Sequence, residues 1–195
     1  MWYVRGTCVN GTRRHEMVRI HVAGKTIPPG KKCGFLLYTS VNLHNADWMH
    51  VDRRRLDIIP RCLQAIYCHS PDDTLDAFTI IHGGGYTIII EGMDCTASEK
   101  PIRRALAQVE PHPMSYEETL RMAINAGYTP TLLIEHGHPW PPNSKPPRLY
   151  IIGTATDPPE TGIEERVSIG PRSYLASQVA AYIAFWERGI LDTRG

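Results

Sequence analysis

The sequence lacks a long apolar run, and it lacks an excess of charge of either sign. None of its apolar stretches approaches the roughly 20 residues that a membrane-spanning helix needs. Lysine plus arginine number 21 against 20 for aspartate plus glutamate, so no global field draws the protein to nucleic acid or to an anionic membrane. The first residues show no basic segment followed by an apolar core, so we expect no secretory signal and a cytoplasmic location.

A disulfide framework and a recognisable metal motif are also missing. The five cysteines are odd in number and scattered along the chain, which favours reduced thiols. Residues 62–69 (CLQAIYCH) and 135–138 (EHGH) collect cysteine, histidine and glutamate, but neither segment has the short paired spacings of structural zinc sites. The HExxH pattern is absent as well. We therefore predict no metal site.

What the first ninety residues do contain is strand-like sequence, rich in β-branched and aromatic residues and divided by glycine and proline. One helix is predicted between these strands, beginning near Leu43 and reaching Tyr67, with Pro60 ending or kinking it. The predicted strands are MWYVRGTCV (1–9), MVRIHVAGKTI (17–27), CGFLLYTSV (33–41) and FTIIHGGGYTIIIEG (78–92).

The second half reads as helices followed by strands and a final helix. Thr96 and Ser115 each precede a glutamate three residues later, which is the capping-box spacing of a helix start. Strands are predicted at 129–137 and 148–155, and a C-terminal helix at 172–191. This order predicts an α+β fold with a mostly antiparallel mixed sheet, capped helices in the middle and a C-terminal helix. We expect residues 1–195 to form a single domain.

The segment HGGGY at 82–86 resembles, in its letters, the glycine-rich oxyanion loop of some esterases. Such a loop needs a G-x-S-x-G nucleophile elbow, which this sequence does not contain, and the pattern of a phosphate-binding loop is missing too. We therefore predict that Gly83, Gly84 and Gly85 form a turn between two strands.

Three polar elements occur in an order with chemical meaning: Arg5 within WYVRGT, Thr39 and Ser40 at the end of FLLYTS, and Glu164 with Glu165 before RVSIGP. In this order they resemble the ADP-ribosyltransferase family in its arginine-serine-glutamate branch. The resemblance implies that Arg5 binds the phosphate or ribose of NAD and that Thr39 and Ser40 support the nicotinamide pocket. It also implies that Glu165, or with less support Glu164, stabilises the cationic ribose as nicotinamide leaves. The chain would then be an NAD-consuming ADP-ribosyltransferase or NAD glycohydrolase.

In an alternative interpretation, the same residues have only structural roles. Arg5 would pair with a carboxylate on the sheet surface, Ser40 would cap the following helix, and Glu164 with Glu165 would lie on a solvated loop. The chain would then be a non-catalytic protein-binding module, such as an inhibitor, an immunity protein or a viral or host antagonist. Trp140 in the proline-rich segment 136–147 is the residue that would anchor a protein partner, unless it packs against the core. The basic run 53–55 lacks interleaved aromatic residues, so nucleic acid ranks last among the partners.

Overall fold

A computed structural model describes residues 18–50, 55–68, 75–95, 98–170 and 174–191. Within these ranges the chain forms eight β-strands, four α-helices and a 3-10 turn at Leu43–Asn45. The elements are β1 (Val18–Val22), β2 (Cys33–Thr39), α1 (Ile58–Tyr67), β3 (Ala77–Gly83), β4 (Tyr86–Cys95), α2 (Glu99–Leu106), β5 (His112–Pro113), α3 (Tyr116–Asn125), β6 (Thr129–Pro139), β7 (Arg148–Gly153), β8 (Glu165–Ser168) and α4 (Ala176–Glu187).

The strands form one mixed sheet in the order β1-β4-β3-β2-β7-β6-β8, with β5 paired to β4. Strands β3, β2, β7, β6 and β8 run parallel to one another, while β4 is antiparallel to β3 and to β1. The prediction of a mixed sheet is confirmed, but the prediction that it is mostly antiparallel is wrong. A helix lies between β2 and β3 along the chain, and such a crossover returns the chain in the parallel direction.

Helices cover both faces of the central parallel strands, which explains why β2, β3 and β7 are buried along nearly their whole length. On one face, Phe35 and Leu37 pack in a core with residues of α1, α2 and α4. On the other face, Leu36 and Ile151 pack in a second core with α3. Since successive residues of a strand point to opposite faces, β2 supplies side chains to both cores.

Local signals located several elements correctly. Ser115 caps α3, since its Oγ accepts a hydrogen bond from the Glu118 N–H at 3.1 Å. The turn between β3 and β4 contains Gly84 and Gly85, both with positive φ angles, 58° and 80°, which favour glycine. Thr96 lies outside the described residues, and α2 begins at Glu99.

Two helix predictions need correction. The helix predicted from Leu43 to Tyr67 is the 3-10 turn followed by α1, and Pro60 lies in the first turn of α1, where its missing N–H costs nothing. The C-terminal helix is confirmed as α4, but it is shorter than predicted: it begins at Ala176, after the exposed Leu175, and ends at Glu187, with Ala180 and Ile183 buried. The small alanine side chains allow α4 to lie close to α1 and the sheet.

The connection from β7 to β8 crosses β6. Residues 154–164 leave β7 on one side of β6 and enter β8 on the other side. The Tyr116 hydroxyl donates a hydrogen bond to the Pro159 carbonyl at 3.3 Å, which places this connection on the face that α3 covers.

Among the described residues, no helix combines the length and apolar character that crossing a membrane requires. The described residues share one sheet; that residues 1–195 form a single domain stays a prediction.

Candidate functional site

A cleft opens where the carboxyl ends of β6, β7 and β8 meet and α4 begins. Its cavity volume is about 140 Å³, and it opens to bulk solvent. In open α/β sheets, ligands bind outside the carboxyl ends of the strands. The cleft is lined by Leu133, Ile134, Glu135, Ile152, Gly153, Asp157, Val167, Ser168, Ile169, Tyr174, Ala176 and Val179.

Gly153 shapes the wall that follows β7. A Cβ atom at this position would lie 2.6 Å from the Thr156 carbonyl oxygen, so only glycine lets the chain fold back here. The folded loop is held in place because the Thr154 N–H and hydroxyl both donate to the Tyr38 carbonyl, at 2.9 and 2.8 Å. These contacts position Asp157 at the cleft.

A bulge in β6 shapes the opposite wall. Leu133 and His138 both pair with Val167 of β8, so residues 134–137 are extra and bulge out of the ladder. A Cβ atom at Gly137 would lie 2.5 Å from the Val167 backbone, which shows how closely the bulge approaches β8. The bulge directs Ile134 and Glu135 to the cleft.

The lining combines apolar and polar surface in roughly equal measure. The walls come from aliphatic side chains such as Leu133, Ile152 and Val167. The ionisable lining groups are the Glu135 and Asp157 carboxylates and the Tyr174 phenol, and no lysine or arginine is among the described lining residues. This arrangement suits a ligand with an apolar ring and a neutral or cationic polar part, and it offers nothing to neutralise a pyrophosphate.

His138 and Glu165 form an ion pair beside the cleft. His138 Nε2 lies 2.6 Å from Glu165 Oε1, and His138 Nδ1 lies 3.0 Å from the Pro139 carbonyl oxygen. Because both ring nitrogens face acceptors, the geometry favours the doubly protonated ring. The Pro139 carbonyl and the Glu165 carboxylate together raise the pKa of His138 above its usual 6.5. Burial works to raise the pKa of Glu165, but hydrogen bonds from the Asn143 N–H and His138 outweigh it and lower that pKa.

The structure places four of the five residues that were named for the NAD site, of which Glu164 is exposed just before β8, and Arg5 lies outside the described residues. Thr39 is buried, and its Oγ1 accepts from the Val41 N–H at 3.2 Å. Ser40 is exposed, and its Oγ accepts from the Thr156 hydroxyl at 2.9 Å, next to the cleft. Glu165 lies on β8, three strand spacings from β2, or about 14 Å. These residues are therefore not brought into contact, and their part in catalysis stays a prediction.

Trp140 packs against the core. Its ring makes edge contacts with Trp186 and Tyr182 at centroid distances of 5.0 and 5.6 Å. The binding-module alternative thus loses the exposed anchor that motivated it.

No protein-family model matches the chain, and no curated protein sequence matches it. Solved structures do match. The crystal structure of Archaeoglobus fulgidus Nep1 bound to S-adenosylhomocysteine aligns with a TM-score of 0.53 at 13% identity, covering 82% of this chain and 98% of Nep1. A chain from Porphyromonas gingivalis, assigned to the RNA methyltransferases of the TrmH family, aligns with a TM-score of 0.44 at 17% identity, covering 86% and 64%. The protein therefore shares its fold with Nep1.

The resemblance to ADP-ribosyltransferases is wrong, because the fold shared with Nep1 differs from the fold of that family. The predictions of an NAD-consuming transferase or glycohydrolase and of NAD as its cofactor are wrong for the same reason. The physical reason is that the resemblance depended on three short segments, whose meeting in space is a property of the tertiary fold. Sequence order alone does not constrain it.

Sequence reasoning missed the lining of the cleft. Gly153 and Ser168 end β7 and β8, and Asp157 and Tyr174 lie outside the strands; none of the four belongs to a recognisable motif. One signal would have helped: strands that are apolar throughout and end in a polar loop indicate a parallel sheet, and parallel sheets bind ligands at that end.

Proposed function

We propose that this protein is an S-adenosylmethionine-dependent methyltransferase of the SPOUT class that acts on RNA. The observation that carries the proposal is the cleft at the carboxyl ends of β6, β7 and β8, in a fold shared with a protein that binds S-adenosylhomocysteine. RNA is proposed as the methyl acceptor because it is the substrate class associated with that kind of methyltransferase.

The residues of the cleft fit the chemistry of the cofactor. S-adenosylmethionine carries an adenine ring, a ribose with two hydroxyls, a cationic sulfur and an amino acid group. Apolar walls from Leu133, Ile152 and Val167 suit the adenine ring, and the carboxylates of Asp157 and Glu135 can accept hydrogen bonds from hydroxyl or ammonium groups. The lack of lysine and arginine among the described lining residues leaves a cationic sulfur without repulsion from the walls.

Bound S-adenosylmethionine supplies a methyl group on a cationic sulfur that becomes a neutral thioether when the methyl group leaves. The protein's own task is to hold and orient the reactants and to exclude water. Gly153 and the bulge at 134–137 set the shape of the cleft through backbone contacts, so the site is largely formed before a ligand binds.

The first test is binding of S-adenosylhomocysteine to the purified protein by titration calorimetry. We expect saturable binding, and we expect Asp157→Asn to weaken it by about tenfold, the effect of losing one charge-assisted hydrogen bond. Glu110→Gln, which changes an exposed carboxylate outside the cleft lining, is the matched control and should bind as the wild type does. Transfer of labelled methyl groups from S-adenosylmethionine to total RNA then tests the acceptor. Absence of binding together with an unchanged melting temperature would refute the proposal.

A further inference from the structure

A partly exposed pair of aromatic rings lies at the same end of the parallel strands as the cleft. The rings of His44, in the 3-10 turn, and Tyr86, at the start of β4, are stacked with a centroid distance of 5.1 Å and an interplanar angle of 18°. Tyr86 is half-buried against the core, whereas His44 is exposed. Tyr86 therefore supports the pair from below, and His44 forms its outer ring.

The segment that carries His44 is held rigidly. Asn42 Oδ1 accepts a hydrogen bond from the His44 N–H at 2.9 Å, and the neighbouring Leu43 side chain is buried. A Cβ atom at Gly84 would lie 2.4 Å from the Asn42 Cα, so the β3–β4 turn packs directly on this segment. A surface fixed in this way loses little conformational entropy when a ligand binds to it.

One hydrogen bond joins the segment before the aromatic pair to the loop that lines the cleft. Ser40, which precedes the 3-10 turn, accepts from the Thr156 hydroxyl at 2.9 Å, and Thr156 lies next to Asp157 of the cleft. Measured across the sheet, β4 lies three strand spacings from β7, a distance of about 14 Å. That separation is too large for the base that would be methylated, and it suits a nucleotide beside the target.

We propose that His44 and Tyr86 form a stacking platform for an unpaired RNA base that flanks the methylated nucleotide. This inference rests on the proposed function. Stacking on aromatic rings binds single-stranded RNA without requiring positive charge. That mode of recognition is consistent with a chain whose formal net charge is only +1. His44 and Tyr86 position the acceptor and take no part in the transfer of the methyl group.

The test measures binding of a short labelled single-stranded RNA of mixed sequence by fluorescence anisotropy. We expect His44→Ala to raise the Kd for this RNA by about tenfold, within the range found for loss of a base-stacking partner. We expect His44→Phe to restore most of the affinity, because an aromatic ring is retained. His50→Ala, which removes an exposed histidine of the following segment, is the matched control. Binding of S-adenosylhomocysteine and the melting temperature should be unchanged in all three variants.

Several outcomes would overturn the inference. The platform is absent if the wild-type protein binds no RNA, if His44→Ala binds as tightly as the wild type, or if His44→Phe is as weak as His44→Ala. An equal loss of affinity for duplex and single-stranded RNA would also exclude base stacking. These results leave the proposed function standing when S-adenosylhomocysteine binds and RNA is methylated. Failure of S-adenosylhomocysteine to bind refutes the proposed function instead, and the direct RNA measurement separates the two cases.

Discussion

The two ends of the parallel strands are built in opposite ways. Towards the amino end, the Tyr150 hydroxyl donates a hydrogen bond to Glu187 of α4 at 2.5 Å, and both residues are buried. At the carboxyl end, Gly153 gives way to a loop that places Asp157 on an open cleft. Polar groups are paired with each other at one end and face a cleft at the other.

This difference indicates how the sheet divides its tasks. Burial, together with the negative charge of Glu187, raises the pKa of Tyr150, so this phenol stays protonated and keeps donating its hydrogen bond to the carboxylate. A buried carboxylate with one good donor costs much free energy when that donor is removed. Exposed carboxylates at a cleft cost little to keep and remain free to meet a ligand. The amino end therefore contributes mainly to stability, and the proposed binding site lies at the carboxyl end.

The largest effect is expected from breaking the buried pair. Tyr150→Phe leaves the Glu187 carboxylate without its hydroxyl donor, and the Lys32 Nζ lies 3.9 Å from Glu187 Oε2, beyond hydrogen-bonding distance. We expect the free energy of unfolding to fall by about 2–3 kcal/mol, measured by urea denaturation. Tyr182→Phe, which removes the hydroxyl of a half-buried tyrosine packed on Trp140, is the control and should change stability by less than about 0.5 kcal/mol. If the folded variant binds S-adenosylhomocysteine with normal affinity, the two ends of the strands act separately. A large loss of affinity would show that the buried pair also supports the cleft.

The converse change is made at the carboxyl end. Gly153→Ala places a Cβ atom 2.6 Å from the Thr156 carbonyl oxygen, so the loop that carries Asp157 has to move. We expect the affinity for S-adenosylhomocysteine to fall by at least about tenfold in calorimetry, equivalent to roughly 1.4 kcal/mol. Gly92→Ala on β4 has open space around its new methyl group and is the matched control. Equal affinities of the two variants would show that the loop does not form the site.

A buried histidine near the carboxyl end of β3 shows that this end of the sheet also holds a polar group that affects stability. His82 Nδ1 lies 2.9 Å from the Thr87 hydroxyl, and burial lowers the pKa of His82 to about 4, against a smaller opposing effect of Glu117. Because the unfolded chain takes up a proton near pH 6.5, stability should fall between about pH 6 and 4, by up to about 1.4 kcal/mol per pH unit. His82→Gln should flatten this part of the profile of unfolding free energy against pH. An identical slope in the variant would assign the acid sensitivity to other groups.

The smallest effect is expected from the ion pair between His138 and Glu165. The raised pKa of His138 stabilises the fold fully below the unfolded value of 6.5, and this contribution disappears as the pH rises through the folded pKa. The lowered pKa of Glu165 stabilises the fold above pH 4.5, the unfolded pKa, and that contribution disappears as the pH falls through the folded pKa. His138→Asn should therefore cost less than about 1 kcal/mol, and more at about pH 5.5 than at about pH 9. An equal cost at both values in urea denaturation would indicate a packing effect without a charge effect.

How well the sequence predicted each part depends on the range of the interactions involved. The cap at Ser115 and the turn at Gly84 and Gly85 involve contacts within a few residues, and both are confirmed. The order and direction of the strands depend on pairings between distant segments, such as β2 with β7, and the prediction of a mostly antiparallel sheet failed there. Of the residues predicted for the site, Ser40 lies near the cleft and Glu165 pairs with His138, yet the roles assigned to them with NAD were wrong.

By itself, the sequence determined which segments are apolar enough to become strands and helices, and where glycine and capping residues end them. It determined that no strong charge of either sign dominates the chain. Only the tertiary structure decided that five strands run parallel, and only it brought Glu135 of the β6 bulge to one cleft with Asp157 and Tyr174 of two separate loops. The reason is physical: local conformation follows from neighbouring residues, whereas a cleft between loops depends on how whole elements pack.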